Sequence, residues 1–528
     1  MTKHVLFANK KPPHETSPYF FPSTYKKNLL SLRPKKIRPA NMSTSTPLIE
    51  NLRELLSVMS PGEKNTLLQF TTNLRSGDKT DNKVQQLLLE LLDGKEKLSP
   101  FHKTVAVRLK ERLMESLTLD VNLNRRGVYS EATRNIVRLE KRLFAIKFLM
   151  PRKGNKFIAQ QLKQIIKQAY KYELHDFLVF VLVVELEFVA TSLGLEEYRS
   201  RLKELNKWKG IRDLYYEMIE FLNEIELWEQ VIFGLSDQKE FVETLEAKIS
   251  TFEKSPFLRF SISCQRIFLS LKIIYFQISQ QPEKGDFYIT QLFKILKRHR
   301  ILFKKTQIAG CYFLKAQNDL YCQHWKDTLN SVQKARNNCK KGAFMFTQAD
   351  SCAFYAYFYS ENYEKAYRTS RVLVAGRAIR QHPLFYEQFC YFHAWSLFMR
   401  RDWQASRRYL SRISQLLLKN KSWNLHFRIL SLMIHAERGA LDNYLTELEC
   451  LRKFVNAYKR EGLDNPRAYA IYDLLKLLGK NSLDFQKTVA MSKDTLDRLA
   501  SDDPAYRWMV KSPELLPFDK WLKEKAMQ

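Results

Sequence analysis

Ten histidines and seven cysteines are the residues of this 528-residue chain best suited to nucleophilic or metal chemistry, and their placement argues against both uses. The cysteines, at 264, 311, 322, 339, 352, 390 and 450, are odd in number and never form a C-x-x-C pair. Neither a zinc ribbon nor a disulfide framework is expected, and a reducing compartment suits them. His299, between Arg298 and Arg300, and His435, on an apolar stretch, are isolated and read as packed or surface residues. Asp502-Asp503 offers two carboxylates for acid–base work, but the pair precedes Pro504 in a loop and has no evident partner. No G-x-x-x-x-G-K-S/T, G-x-G-x-x-G, H-E-x-x-H, G-x-S-x-G or EF-hand pattern occurs, and 15 glycines leave little material for phosphate-cradling loops. A protein without catalytic residues, metal, cofactor or small-molecule substrate is therefore expected.

Charge carries more information. Lys and Arg outnumber Asp and Glu by 87 to 56, for a net charge of +31 and a pI of about 9.7. The excess is local: residues 251–450 hold 31 basic against 14 acidic residues, whereas 201–250 hold 7 against 11. It gathers at Lys294, Lys297, Arg298 and Arg300, at Lys334, Arg336, Lys340 and Lys341, at Arg368 and Arg371, and at Arg407, Arg408 and Arg412. Such a face is the electrostatic footprint of a nucleic-acid binder, although no recognition helix-turn-helix, RNP aromatic motif or zinc finger accompanies it. Residues 1–42 form a basic, Pro-rich arm expected to be disordered. They read as an extension ahead of Met42, because Ser43-Thr44-Ser45-Thr46-Pro47 is a helix-start signal. The longest apolar run, Phe177 to Val184, is eight residues, far below the roughly 20 that span a bilayer. With no secretory h-region, a cytoplasmic protein is expected.

The elements that position these residues are helices. Few helix breakers follow residue 40, and apolar residues recur at helical spacing. Five times a polar residue is followed by an aromatic: Asp286-Phe287, His324-Trp325, Asn362-Tyr363, Asp402-Trp403 and Asn443-Tyr444. The aromatics lie 38, 38, 40 and 41 residues apart, and Thr290, Thr328, Ala366, Ser406 and Glu447 follow each by three. The polar residue is expected to cap a second helix, with Phe287, Trp325, Tyr363, Trp403 and Tyr444 packed as repeat anchors between the two helices of each unit. A period near 40 without strand signals predicts stacked helical hairpins, an all-α solenoid. The expected organisation is an N-terminal helical region at 43–151, the solenoid at 155–460 and a C-terminal helical cap at 461–528.

On these anchors, the small residues after them, and Ala316 and Ala394 nine positions ahead of their aromatics, the chain resembles tetratricopeptide-type repeats. It departs in its longer period, in Ile278 and Phe354 at the small first-helix position, and in lacking a unit-closing proline. Ser60-Pro61-Gly62-Glu63-Lys64, Lys103 to Leu117 and the Lys520-Trp521-Leu522-Lys523-Glu524-Lys525 end are also similar to uncharacterised cytoplasmic helical-repeat proteins of Bacteroidetes-type bacteria. The repeat resemblance implies a right-handed solenoid whose second helices form a basic convex wall and whose first helices line a neutral groove. It puts Phe313, Gln317 and Tyr321, then Gln348, Ser351, Tyr355 and Tyr359, then Gln388, Tyr391 and Trp395 in that groove. Amide and aromatic side chains of this kind suit a peptide. The expected function is a protein–protein interaction scaffold, with nucleic-acid binding through the basic wall as the alternative.

Overall fold

The computed structural model describes residues 47–59, 61–73, 79–95, 103–119, 131–152, 155–192, 194–229, 235–413, 418–460 and 465–528. The arm at 1–42 and the helix-start signal at 43–46 lie outside the described residues. The described residues are mostly helical, joined by turns and short irregular segments, and there is no strand among them. The chain divides into two compact units, residues 1–126 and 127–528.

The first unit contains α1 (Pro47–Val58), α2 (Pro61–Asn73), α3 (Lys79–Leu92) and α4 (Lys103–Leu119). α1, α3 and α4 carry leucine or valine at three- and four-residue spacing, so each has an apolar stripe to bury, and α2 adds Leu67. The stripes meet in a core built from Leu52, Leu56, Leu67, Leu88, Leu109 and Leu113.

The second unit runs through α5 (Glu131–Leu149), α6 (Asn155–Lys171), α7 (His175–Ser192), α8 (Leu195–Glu229), α9 (Leu235–Lys254), α10 (Ile262–Ile278), α11 (Pro282–Arg298) and α12 (Lys305–Tyr321). It continues with α13 (Trp325–Asn337), α14 (Phe344–Tyr359), α15 (Tyr363–Ala375), α16 (Arg377–Arg380), α17 (Pro383–Met399) and α18 (Trp403–Leu410). The last helices are α19 (Lys421–Glu437), α20 (Leu441–Arg460), α21 (Pro466–Lys480), α22 (Phe485–Met491), α23 (Lys493–Leu499) and α24 (Phe518–Ala526). Consecutive helices pack as hairpins: α10 with α11, α12 with α13, α14 with α15, α17 with α18, and α19 with α20. α5 belongs to the second unit, since its Leu139, Leu143 and Ile146 share a core with α6 and α7.

One turn recurs at every hairpin. Glu173, Gln280, Gln323, Glu361, Arg401, Gly439 and Ser482 all have positive φ. At each, the residue's N–H bonds the carbonyl three back and the next N–H bonds the carbonyl five back, as in Glu361 to Phe358 and Asn362 to Tyr357. This is the Schellman arrangement, which satisfies the last carbonyls of one helix while reversing the chain. At two of these turns the following residue caps the next helix with its side chain: Asn362 accepts from Lys365 N–H, and Asp402 accepts from Ala405 N–H.

The turns correct the register of the two outer hairpins. Asp286 and Asn443 lie inside α11 and α20, whose first residues are Pro282 and Leu441. The true first positions are therefore Pro282, Trp325, Tyr363, Trp403 and Leu441. The residues three further on, Gly285, Thr328, Ala366, Ser406 and Tyr444, are all buried. Gly285 is needed there because an added Cβ would stand 2.6 Å from Asn318 Oδ1. Phe287, expected to pack between helices, is 62% exposed for this reason. Tyr444 is buried at the small-residue position, with Gly479 opposite it, and donates to the Leu475 carbonyl at 2.7 Å. Trp325, Tyr363 and Trp403 are half-buried rather than enclosed.

Candidate functional site

The first helices α12, α14 and α17 are apolar on most sides, with Lys315 and Asp319 on α12, Asp350 alone on α14 and Glu387 alone on α17 as charged interior residues. A helix apolar all round must be covered on several faces. One side of α14 and α17 packs on their second helices, and the two first helices meet where Phe354 stacks on Phe392 at 4.8 Å and Tyr355 meets Phe392 edge-on at 5.0 Å. The other side faces a cavity of about 640 Å³. Of the ten groove residues expected from sequence, Phe313, Gln317, Tyr321, Gln348, Ser351, Tyr355 and Gln388 line it.

Tyr359, Tyr391 and Trp395 do not line that cavity. Tyr359 and Tyr391 are covered by the chain's own irregular segment after α23. The Tyr359 hydroxyl accepts from Lys511 N–H at 3.0 Å, and the Tyr391 hydroxyl donates to the Pro513 carbonyl at 2.7 Å. Trp508 meets the Tyr359 ring edge-on at 5.2 Å, and Lys511 Nζ sits 5.2 Å from the Tyr321 centroid. Trp395 is 2% exposed, enclosed by Phe358, Tyr391 and Phe398. Burial holds the Tyr355, Tyr359 and Tyr391 phenols well above their usual range, so all three are neutral hydrogen-bonding groups.

Sequence reasoning missed several cavity residues. Gln277, Gln280, Gln307 and Gln323 join Gln317, Gln348 and Gln388 in the wall, together with Leu222, Ile225 and Phe241 of α8 and α9. Gln277 is 1% exposed and donates to the Leu314 carbonyl at 3.2 Å, while its Oε1 is buried without a hydrogen-bond partner. Residues 507–512 form part of the wall as well. That segment is held from behind by Arg467, which makes a bidentate pair with Glu514, both contacts at 2.7 Å. Arg467 also donates to the carbonyls of Leu499 and Tyr506. Burial opposes the guanidinium charge, but Glu514 and Asp519 outweigh it and raise the Arg467 pKa. Nothing in the local sequence marks two residues 47 apart as a pair.

The basic residues lie elsewhere. Lys294, Lys297, Arg298, Arg300, Lys334, Arg371, Arg407, Arg408 and Arg412 are exposed. Arg336, grouped with them in the sequence reading, is instead tied to Asp350 at 2.6 Å and bridges α13 to α14. Arg368 pairs with Glu364 at 2.9 Å, and Arg400 meets the same carboxylate. Under this face His393 is buried between the rings of Tyr367 and Tyr409, with Nδ1 2.9 Å from Ser370 Oγ. Burial, with Arg371 and Arg412 nearby, lowers its pKa to about 4.

Catalytic arrangements are not evident in these contacts. His175 Nε2 lies 3.2 Å from Ser261 Oγ, and Glu173 also meets that hydroxyl. Yet Ser261 is fully buried, and Glu173 caps α10 through the N–H groups of Ile262 and Ser263, both at 2.7 Å. This is a clasp between hairpins. His299 ends α11, His435 is buried within α19, and Asp502 and Asp503 are exposed. Among the described residues no three His, Cys, Asp or Glu side chains gather to hold a metal ion, and no helix is long and apolar enough to cross a membrane. No protein-family model and no curated protein matches the chain.

Proposed function

We propose that this chain is a non-enzymatic, cytoplasmic protein–protein interaction scaffold, in which tetratricopeptide-like hairpins form a right-handed solenoid and hold a peptide segment against their first helices. The observation that carries the reading is the convergence of Phe313, Gln317, Tyr321, Gln348, Ser351, Tyr355 and Gln388 on one cavity of about 640 Å³. Seven glutamine side chains in one wall supply both donors and acceptors, the complement of a peptide backbone, set among Phe, Leu and Met surfaces. The buried Gln277 Oε1 adds an acceptor that a ligand N–H would satisfy; an unpaired buried group of this kind costs about 1–3 kcal/mol.

The exposed arginines favour a second reading, nucleic-acid binding by Arg407, Arg408 and Arg412. Two variants separate the readings, each measured against partner captured from nuclease-treated and untreated lysate. Gln317→Leu with Gln348→Leu keeps the cavity's size and removes two of its seven glutamine amides, and is expected to abolish capture of a protein partner. Charge reversal at the three arginines is expected to change mainly the salt dependence. Retention of binding by the Gln variant, with loss in the Arg variant and a steep fall in affinity with salt, would select nucleic acid.

A further inference from the structure

We propose that residues 507–512 are an intramolecular peptide ligand of the groove, and that the partner is a turn-forming peptide with an aromatic residue followed three positions later by Lys or Arg, which competes with them. The inference rests on the peptide-scaffold reading and names what the scaffold selects.

The geometry of the loop supports it. Arg467 grips both ends, through the Tyr506 carbonyl on one side and the Glu514 carboxylate on the other. Behind Glu514 the chain is fixed in the core by Leu515, Leu516, Phe518 and Trp521. Between the grips, residues 507–512 are exposed or half-buried and only Pro513, beside Glu514, is buried. The loop can therefore leave the groove while both its ends stay anchored.

Its contacts are those by which a groove reads a peptide. Two tyrosine hydroxyls address the backbone: Tyr359 takes the Lys511 N–H at 3.0 Å and Tyr391 gives to the Pro513 carbonyl at 2.7 Å. Two side chains add selectivity. Trp508 packs edge-on against Tyr359, and Lys511 lies over the face of Tyr321 in a cation–π contact. Gln317, Gln348 and Gln388 line the same cavity, so a longer peptide can gain contacts with their amides. A tethered competitor acts at a high effective concentration and lowers the apparent affinity of any external peptide by the fraction of time the groove is open.

The test applies one substitution on both sides of the competition. A fluorescently labelled synthetic peptide with the sequence of residues 505–514 is titrated into the full chain and followed by anisotropy. Trp508→Ala in the chain weakens the tethered competitor, so the peptide is expected to bind about tenfold or more tightly than to the unaltered chain. The same change in the peptide is expected to weaken binding about tenfold. Lys511→Glu, on the half-exposed edge of the loop, repeats the pair of experiments should Trp508→Ala lower the melting temperature. Weaker or unchanged binding by both chain variants, or equal binding of the altered peptide, overturns the proposal. If partner capture still depends on Gln317 and Gln348 while the labelled peptide shows no such opposite responses, the scaffold reading stands and this inference alone falls.

Discussion

At the scale of single residues, the buried side chains set how this protein responds to acid. His393 has its pKa lowered to about 4 by burial and by Arg371 and Arg412, against about 6.5 for a free histidine. Between those values the unfolded chain binds a proton that the folded chain refuses, so stability is complete above pH 6.5 and falls as pH drops toward 4. The difference is on the order of 3 kcal/mol. His175, His426 and His435 are shifted in the same direction, chiefly by burial. Glu185, Asp350 and Asp519 have raised values, again chiefly from burial, and their penalty is relieved as acid protonates them. His393→Gln isolates the first effect. Urea unfolding midpoints of the variant and the unaltered chain should converge as pH falls from 6.5 to 4; a constant gap would show that His393 does not titrate in this window.

At the scale of elements, helices were legible and their joints were not. Apolar spacing locates α6, α7, α12, α14 and α17 because each buries a stripe or more of Ile, Leu, Phe or Ala, and that pattern is local. The joint is built from hydrogen bonds between backbone groups, and its left-handed residue is Glu, Gln, Arg or Ser in six of the seven turns. Glycine, the usual marker, stands only at Gly439. Hence the aromatics at 287 and 444 suggested helix starts several residues late. The same feature gives a prediction of opposite signs. A side chain at αL costs about 1–2 kcal/mol, part of which glycine returns to the unfolded chain as entropy. Gln323 is exposed at φ 60°, and Gly439, at φ 64°, has nothing within 4 Å of an added Cβ. Gln323→Gly should therefore stabilise, and Gly439→Ala destabilise, by about 1 kcal/mol each. Chemical denaturation with unchanged slope is the check. The candidate site was legible to the same degree: residues at helical spacing on first helices reach the cavity, whereas the segment closing it comes from over a hundred residues away, as Tyr391 to Pro513 shows.

At the scale of the whole second unit, the C-terminal segment ties together hairpins that otherwise meet mainly their neighbours. Trp521 donates to Glu437 at 2.9 Å, Lys525 pairs with the same carboxylate at 2.8 Å, and Phe485 of α22 packs edge-on against Trp521. Arg467 is the centre of this arrangement, serving Glu514, Asp519 and two carbonyls from a position 8% exposed. Desolvating such a pair costs nearly as much as its attraction returns, but stranding one partner is severe. Arg467→Met should cost about 3–5 kcal/mol because it leaves Glu514 charged and enclosed. Glu514→Met added to it should recover part of that loss, because the enclosed carboxylate is gone while Asp519 and the carbonyls of Leu499 and Tyr506 still lack the guanidinium. Hydrogen exchange locates the effect: in the single variant, amides of α14, α17 and α24 should exchange faster together, while those of α6 and α7 keep their protection. If the double variant is no more stable than the single one, the carbonyls of Leu499 and Tyr506 outweigh the carboxylate as partners of Arg467. The segment would then be held chiefly through its backbone, and the charge of Glu514 would add little to its closure.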